Sequence, residues 1–128
     1  MKIEDQVLSI EQVQELQELG FDVSKYASMY YCPNWIEKFG VDEIQDYLLI
    51  IGSLYEDGNE DCFPTMSIAD IIGVLPTKID KYELNINRRD VSYSESRTNI
   101  LFYAYRYRFI NSLFDCLVWC IKNKHIAL

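Results

Sequence analysis

The sequence predicts an α+β fold, in which an antiparallel sheet has helices packed on one face. We expect this sheet to contain a C-terminal three-stranded meander plus one or two N-terminal strands. Three segments place apolar residues at a helical spacing, whereas residues 82–108 alternate with a period of two. The 128 residues suit a single domain, 1–128, and contain no internal repeat, low-complexity tract or linker.

The first helix is predicted to begin after Ser9. The Ser9 hydroxyl can accept a hydrogen bond from the backbone N–H of Gln12, and the Gln12 side chain can reach back, which is a capping box. Gly20 supplies the left-handed residue that commonly ends a helix. The apolar residues between them share one face: Ile10, Val13, Leu16 and Leu19.

The next segment is the least regular part of the sequence. Residues 27–32 predict a short strand that stops at Pro33. Residues 47–51 are rich in β-favouring types and favour a second strand, while residues 41–44 could form a helical turn. The structure of 33–63 is therefore left open by the sequence.

A second, short helix is predicted after Ser67, with Asp70 as its reciprocal capping residue and Pro76 at its end. Three strands are expected over 82–88, 91–96 and 100–108, joined by short turns. The polar alternate positions indicate that one face of this meander is solvated.

The last predicted helix covers residues 109–124, and its apolar stripe packs on the other face of the meander. Trp119 projects onto the polar side of this helix, among Ser112, Asp115 and Asn123. Either another element covers Trp119, or it contacts a partner, and a two-fold contact would make the protein a homodimer.

The segment "YAYRYRF", residues 103–109, carries the candidate partner surface. In a strand its tyrosines share one face and its arginines the other. We expect the tyrosines to pack on Tyr82 and Tyr93 of neighbouring strands, and the arginines to pair with acids of the N-terminal half. Recognition of a protein partner is the alternative, because Tyr and Arg are enriched at interfaces. The candidate partner surface therefore has six residues: Tyr103, Tyr105, Arg106, Tyr107, Arg108 and Trp119.

Charge is distributed unevenly along a chain whose formal net charge is −8. Residues 1–77 hold fifteen acids and three lysines, whereas residues 78–108 hold all five arginines and are net positive. Such asymmetry indicates either a binding surface for an anion or two parts of one fold that neutralise each other. A net negative protein has the wrong sign to attract a phosphate backbone, so the charge does not favour nucleic acid as a partner.

The four cysteines are expected to be free and largely buried, because they lack the paired spacing of zinc ligands. The acidic stretch 56–61 opens like a calcium loop, but Cys62 stands where that loop needs glycine. We therefore predict no metal and no cofactor. Reduced cysteines, no signal peptide and no membrane-spanning run predict a cytoplasmic protein without a membrane partner.

No catalytic constellation can be assembled from the sequence. The single histidine, His125, is expected to interact with the dipole of the last helix. There is no glycine-rich phosphate loop and no nucleophile motif. The sequence therefore predicts no enzyme and no catalytic residues.

Three segments of the chain resemble sequences of a known family. They are 8–29 ("LSIEQVQELQELGFDVSKYASM"), 65–76 ("TMSIADIIGVLP") and 112–126 ("SLFDCLVWCIKNKHI"). They resemble a family of small hypothetical proteins encoded by gut-bacterial genomes, phages and mobile elements. The segment 33–63 departs most from that pattern. The resemblance implies a genetic context, and it transfers no functional residues.

Together these features predict an accessory protein of phage or mobile-element type that binds another protein and has no enzymatic activity. One alternative is an acidic inhibitor or nucleic-acid mimic, such as a toxin-neutralising protein. It requires the N-terminal acids to form a contiguous stripe. A small hydrolase, the third possibility, would need a deep pocket holding His125 and a carboxylate.

Overall fold

The computed structural model describes residues 5–51 and 62–128, which form helices and two antiparallel sheets. The helices are α1 (Ile10–Glu18), α2 (Ile68–Val74) and α3 (Phe109–Lys122), with a 3₁₀ turn at Val23–Lys25. The strands are β1 (Met29–Lys38), β2 (Val41–Ile51), β3 (Phe63–Thr65), β4 (Lys78–Ile79), β5 (Tyr82–Asn87), β6 (Asp90–Ser94) and β7 (Ile100–Tyr105). The predicted α+β class is confirmed. The N-terminal strands, however, form their own sheet, ordered β2-β1-β3, beside a four-stranded sheet ordered β4-β5-β6-β7.

Helix α1 begins and ends as the sequence predicts. The Gln12 backbone N–H donates to the Ser9 hydroxyl at 3.2 Å, and the Ser9 N–H donates to the Gln12 side chain at 3.0 Å. Gly20 has a φ of +87°, and the next N–H, from Phe21, bonds back to the Leu16 carbonyl at 3.0 Å. These bonds satisfy backbone groups that a helix end otherwise leaves without partners.

Strands β1 and β2 form a hairpin that is longer than the sequence predicts. The prediction of a strand at 47–51 is confirmed, whereas the helical turn considered for 41–44 is wrong, because those residues belong to β2. Lys38 pairs with Val41, which leaves Phe39 and Gly40 as a two-residue turn with φ values of +55° and +78°. Positive φ at both positions is the geometry that matches the twist of a tight hairpin.

Pro33 does not stop β1, contrary to prediction. Cys32 lies opposite Cys62 with a Cα–Cα distance of 4.3 Å, which is typical of a pair without mutual backbone hydrogen bonds. Because hydrogen-bonding sides alternate along a strand, the nitrogen of Pro33 faces away from β2. The β1–β2 ladder therefore loses no donor at the proline.

The prediction of free cysteines is wrong for two of the four. Tyr31 pairs with Phe63, and the same antiparallel register places Cys32 opposite Cys62, where they form a disulfide. Cys116 and Cys120 on α3 are free and buried, as predicted.

The C-terminal sheet is the predicted meander with one further short strand, β4, at its edge. Its inner face carries the buried residues Val91, Tyr93 and Ala104, against which α3 packs. The core is continuous with α1 and α2 through residues such as Leu16 and Ile71. No helix within the described ranges combines the length and apolar character that a membrane crossing requires.

Helix α2 has the predicted capping box, formed by Ser67 and Asp70. Helix α3 ends two residues before the predicted boundary. Lys124 adopts a φ of +61°, and the His125 N–H bonds to the Cys120 carbonyl at 2.8 Å. A left-handed residue after the last turn commonly ends a helix, and that residue is usually glycine. Here Lys124 occupies the position.

Candidate functional site

Tyr103 and Tyr105 lie on the outer face of the meander, where 55% and 59% of each residue is exposed. The predicted packing of these rings on Tyr82 and Tyr93 is wrong. Tyr93 pairs with Phe102 and is fully buried on the inner face, whereas Tyr103 is opposite Ser92. Residues that lie directly opposite each other on paired strands share a face of the sheet. Because Tyr93 pairs with Phe102 rather than with Tyr103, Tyr93 lies on the inner face and Tyr103 on the outer face.

Strand β7 ends at Tyr105, three residues earlier than predicted. The Arg106 N–H donates to the Ser112 hydroxyl at 2.8 Å, and Arg108 is the N-cap residue of α3. Tyr107 consequently lies in a bend between strand and helix, and 79% of it is exposed. The predicted alternation of tyrosines and arginines therefore stops before Tyr107.

The two predicted arginines have different partners. Arg108 pairs with Asp5 at 3.2 Å, as expected for an acid of the N-terminal half. Arg106 instead pairs with Asp115 on α3 at 2.7 Å, which contradicts that expectation. The hydrogen bond to Asp115 raises the pKa of the Arg106 guanidinium further. We use the name Tyr/Arg surface for Tyr103, Tyr105, Arg106, Tyr107 and Arg108.

A cleft adjoins this surface and shares Tyr105 with it. Its volume is about 460 Å³, and we call it the arginine cleft, lined by Asn87, Arg88, Arg89, Asp90 and Tyr105. The two arginines form the turn between β5 and β6. The guanidinium carbon of Arg89 lies 4.8 Å from the centroid of the Tyr107 ring. The adjacent arginines between two alternating segments were a sequence signal for a cationic hairpin turn.

Ser112 joins the cleft to the Tyr/Arg surface. It is fully buried on α3, and its hydroxyl donates to the Arg89 carbonyl at 2.6 Å while it accepts from the Arg106 N–H. A helical pattern places Ser112 on the polar side, but the end of the sheet covers that position. One buried hydroxyl thus holds the backbone of two cationic segments.

Trp119 packs against the core of the chain and is half-buried, which supports the first of the two alternatives that the sequence left open. Its ring stacks on Phe102 of β7 at a centroid distance of 4.8 Å and contacts Tyr93 at 5.9 Å. The centroid of the His125 ring lies 5.0 Å from that of Trp119. Because the Trp119 ring packs on these three neighbours, the Tyr/Arg surface is defined without it.

His125 is occupied by this aromatic packing. It lines neither the arginine cleft nor the groove bordered by Val13, Tyr31 and Phe63. Within the described ranges, no three histidine, cysteine or acidic side chains lie close enough together to hold a metal ion. The acidic stretch 56–61, considered above for calcium, lies outside the described residues.

The buried thiols of α3 form part of the core. The Cys120 sulfur lies 3.8 Å from the Tyr93 hydroxyl, which donates to the Pro76 carbonyl at 2.7 Å. A hydrogen bond to Cys120, together with burial, raises the pKa of Cys116. A thiol held protonated is a poor nucleophile, so Cys116 is a structural residue.

A comparison of the chain with models of protein families, with curated proteins and with solved structures finds no match.

Proposed function

We propose that the protein is a non-enzymatic interaction protein that binds a protein partner through its Tyr/Arg surface. The observation that carries this proposal is the exposure of Tyr103, Tyr105 and Tyr107, which is 55%, 59% and 79%. Large rings that face solvent contribute little to the stability of the fold, because they bury little apolar surface. Tyrosine and arginine are among the residues that most often contribute binding energy at the centre of interfaces.

The arrangement of the surface supports a protein as the partner. The rings of Tyr103 and Tyr105 stand in one row on β7, at the edge of the sheet, so an incoming surface can contact both. The Tyr103 hydroxyl donates to Asp90 at 3.2 Å, and Arg106 is held by Asp115. Rings and polar groups that are already oriented lose less conformational entropy on binding.

The negative net charge of the chain favours a protein over a nucleic acid. Within the Tyr/Arg surface, Arg106 and Arg108 are each paired with a carboxylate, so they present little free positive charge. A phosphate backbone would have to displace those pairs while approaching a protein of charge −8.

The proposal includes a cellular setting, namely an accessory role in a phage or mobile element acting in the cytoplasm. The sequence resemblance supports the genetic setting. Reduced cysteines no longer support the cytoplasmic location, because Cys32 and Cys62 form a disulfide and disulfides persist mainly in oxidising compartments.

Site-specific photo-cross-linking tests the proposal. A benzophenone amino acid replaces Tyr105 in one variant and Tyr26, which is 39% exposed and lies outside the surface, in the control. After irradiation in the native host, we expect a discrete cross-linked protein at Tyr105 and none at Tyr26. Equal labelling at both positions, or no adduct at either, contradicts the proposal. An adduct between two copies of the chain would identify the partner as a homodimer.

One observation favours a second candidate, the acidic inhibitor. Glu11, Glu15 and Glu18 are exposed on α1, and their spacing places them within one side of the helix. This is a short acidic stripe. Replacing all three by glutamine should abolish inhibition of a nucleic-acid-binding target if the stripe mimics phosphates, and unchanged inhibition would exclude that role.

A further inference from the structure

We infer that the arginine cleft binds an anion through paired hydrogen bonds, namely a carboxylate or phosphate group carried by an acidic segment of the protein partner. This inference deepens the proposed function and rests on it for the identity of the partner. Of the residues that line the cleft, Tyr105 alone belongs to the candidate partner surface predicted from the sequence.

The first argument is the charge left free in the cleft. Arg106 and Arg108 have carboxylate partners, but among the described residues neither Arg88 nor Arg89 lies within ion-pair distance of an acid. Both side chains are exposed at the mouth of the cleft. Asp90 is the one acid among the described residues of the lining, so two arginines outnumber one carboxylate and the cleft keeps a net positive charge.

The second argument is geometric. A guanidinium group presents paired N–H donors that match the two oxygens of a carboxylate or phosphate. The Arg89 guanidinium lies over the Tyr107 ring at 4.8 Å, which restricts its orientation. Tyr105 forms another part of the lining and offers a ring and a hydroxyl to the segment that carries the anion.

The third argument is the fixed backbone. Buried Ser112 donates to the Arg89 carbonyl at 2.6 Å, and the Asn87 side chain accepts from the Arg88 N–H at 3.0 Å. Two exposed arginines on a free loop would lose much conformational entropy on binding, whereas here the turn that carries them is already ordered. The cleft is therefore a prepared anion site.

An acidic protein segment fits the cleft better than a nucleic acid. The cleft has two free arginines and is bordered by tyrosines, which suits a few anions on a short segment. A polyanion would extend beyond it onto a protein of net charge −8.

Binding to defined probes tests the inference. Fluorescence anisotropy is measured with a labelled peptide that has four glutamates around a tyrosine, the same peptide with glutamines, and a version with two phosphoserines. An oligothymidine of similar length is the fourth probe. We expect the glutamate or the phosphoserine peptide to bind, the glutamine peptide not to bind, and added salt to weaken binding. The tighter of the two anionic peptides identifies the source of the anion.

The variant Arg88→Ala/Arg89→Ala should weaken peptide binding about tenfold or more, because charge-assisted hydrogen bonds contribute at least that much. Arg88→Lys/Arg89→Lys keeps the charge and loses the paired donors, so we expect an intermediate loss. Arg97→Ala is the matched control, since Arg97 is an exposed arginine in the β6–β7 loop at the other end of the strands. Its affinity should stay within about twofold of the parent.

Several outcomes overturn the inference. These are equal binding of the glutamine peptide, equal loss in the Arg97 variant, or tighter binding of oligothymidine than of either anionic peptide. If Tyr105 still cross-links the partner in the Arg88→Ala/Arg89→Ala variant, the proposed function stands and the cleft is not its anion site. If the acidic peptide binds through the arginines but no partner cross-links, the cleft stands and the proposed function fails.

Discussion

The Ser112 hydroxyl donates a hydrogen bond to the backbone carbonyl of Arg89 at 2.6 Å, from a helix position with no exposed surface. The same oxygen accepts from the Arg106 N–H at 2.8 Å. A single side chain of α3 therefore positions both the turn between β5 and β6 and the end of β7.

Replacing Ser112 by alanine should lower the free energy of unfolding by about 1–3 kcal/mol, because two backbone groups lose their partner. Urea unfolding measures this change. Ser92→Ala, on the outer face of β6, is the control and should change stability by less than about 0.5 kcal/mol. Equal stability of the Ser112 variant and its parent would show that these hydrogen bonds do not contribute.

Removing the Cys32–Cys62 disulfide should lower the free energy of unfolding by about 2–4 kcal/mol, because its 30-residue separation closes a loop in the unfolded chain. Urea unfolding is compared with and without a reductant. The reductant should destabilise the parent and leave Cys32→Ser/Cys62→Ser unchanged.

The number of reactive thiols checks the disulfide directly. Alkylation in urea without reductant should modify two cysteines, Cys116 and Cys120, and prior reduction should raise the number to four. Four modified cysteines without reductant would exclude the disulfide.

Lys124→Gly should raise the free energy of unfolding by roughly 0.5–1 kcal/mol, since a φ of +61° is costly for a residue with a side chain. Lys122→Gly removes the same charge from the last residue of α3, and it should lower stability by about 1 kcal/mol. Thermal or urea unfolding distinguishes the two. Loss of stability in both variants would contradict the conformational argument.

Tyr93 should make stability decrease at high pH. Burial, and then the neighbouring thiols, raise the pKa of its hydroxyl, so the unfolded chain loses this proton first, near pH 10. Above pH 10 the unfolded state binds fewer protons than the folded state, and this residue lowers the free energy of unfolding by about 1.4 kcal/mol per pH unit.

Tyr93→Phe tests this pH dependence. The variant loses the hydrogen bond to the Pro76 carbonyl and should be about 1 kcal/mol less stable at pH 8. Its stability should then fall less steeply than that of the parent between pH 10 and 11, measured by urea unfolding. Parallel curves would show that Tyr93 does not contribute to the alkaline loss.

The sequence predicted the elements whose signals are local. Ser9 with Gln12 and Ser67 with Asp70 specify helix starts through bonds between residues three positions apart, so no tertiary information is needed. The long hairpin was missed because Phe39 precedes Gly40 where asparagine or aspartate is the usual signal.

The site was harder to predict because it depends on contacts between distant segments. Register decides that Tyr103 faces solvent while Tyr93 is buried, and nothing within either strand fixes that register. Trp119 and Ser112 are on the polar side of their helix, yet the sheet and its turn cover both. The Tyr/Arg composition was visible in the sequence, whereas the arginine cleft needed the fold.

The disulfide also has a topological consequence for proteolysis. Any peptide bond between Cys32 and Cys62 lies inside a covalent ring. A protease that cut the chain once there would produce a nicked molecule whose two fragments migrate together on a non-reducing gel and separate only after reduction. Digestion of this protein must therefore be judged under reducing conditions.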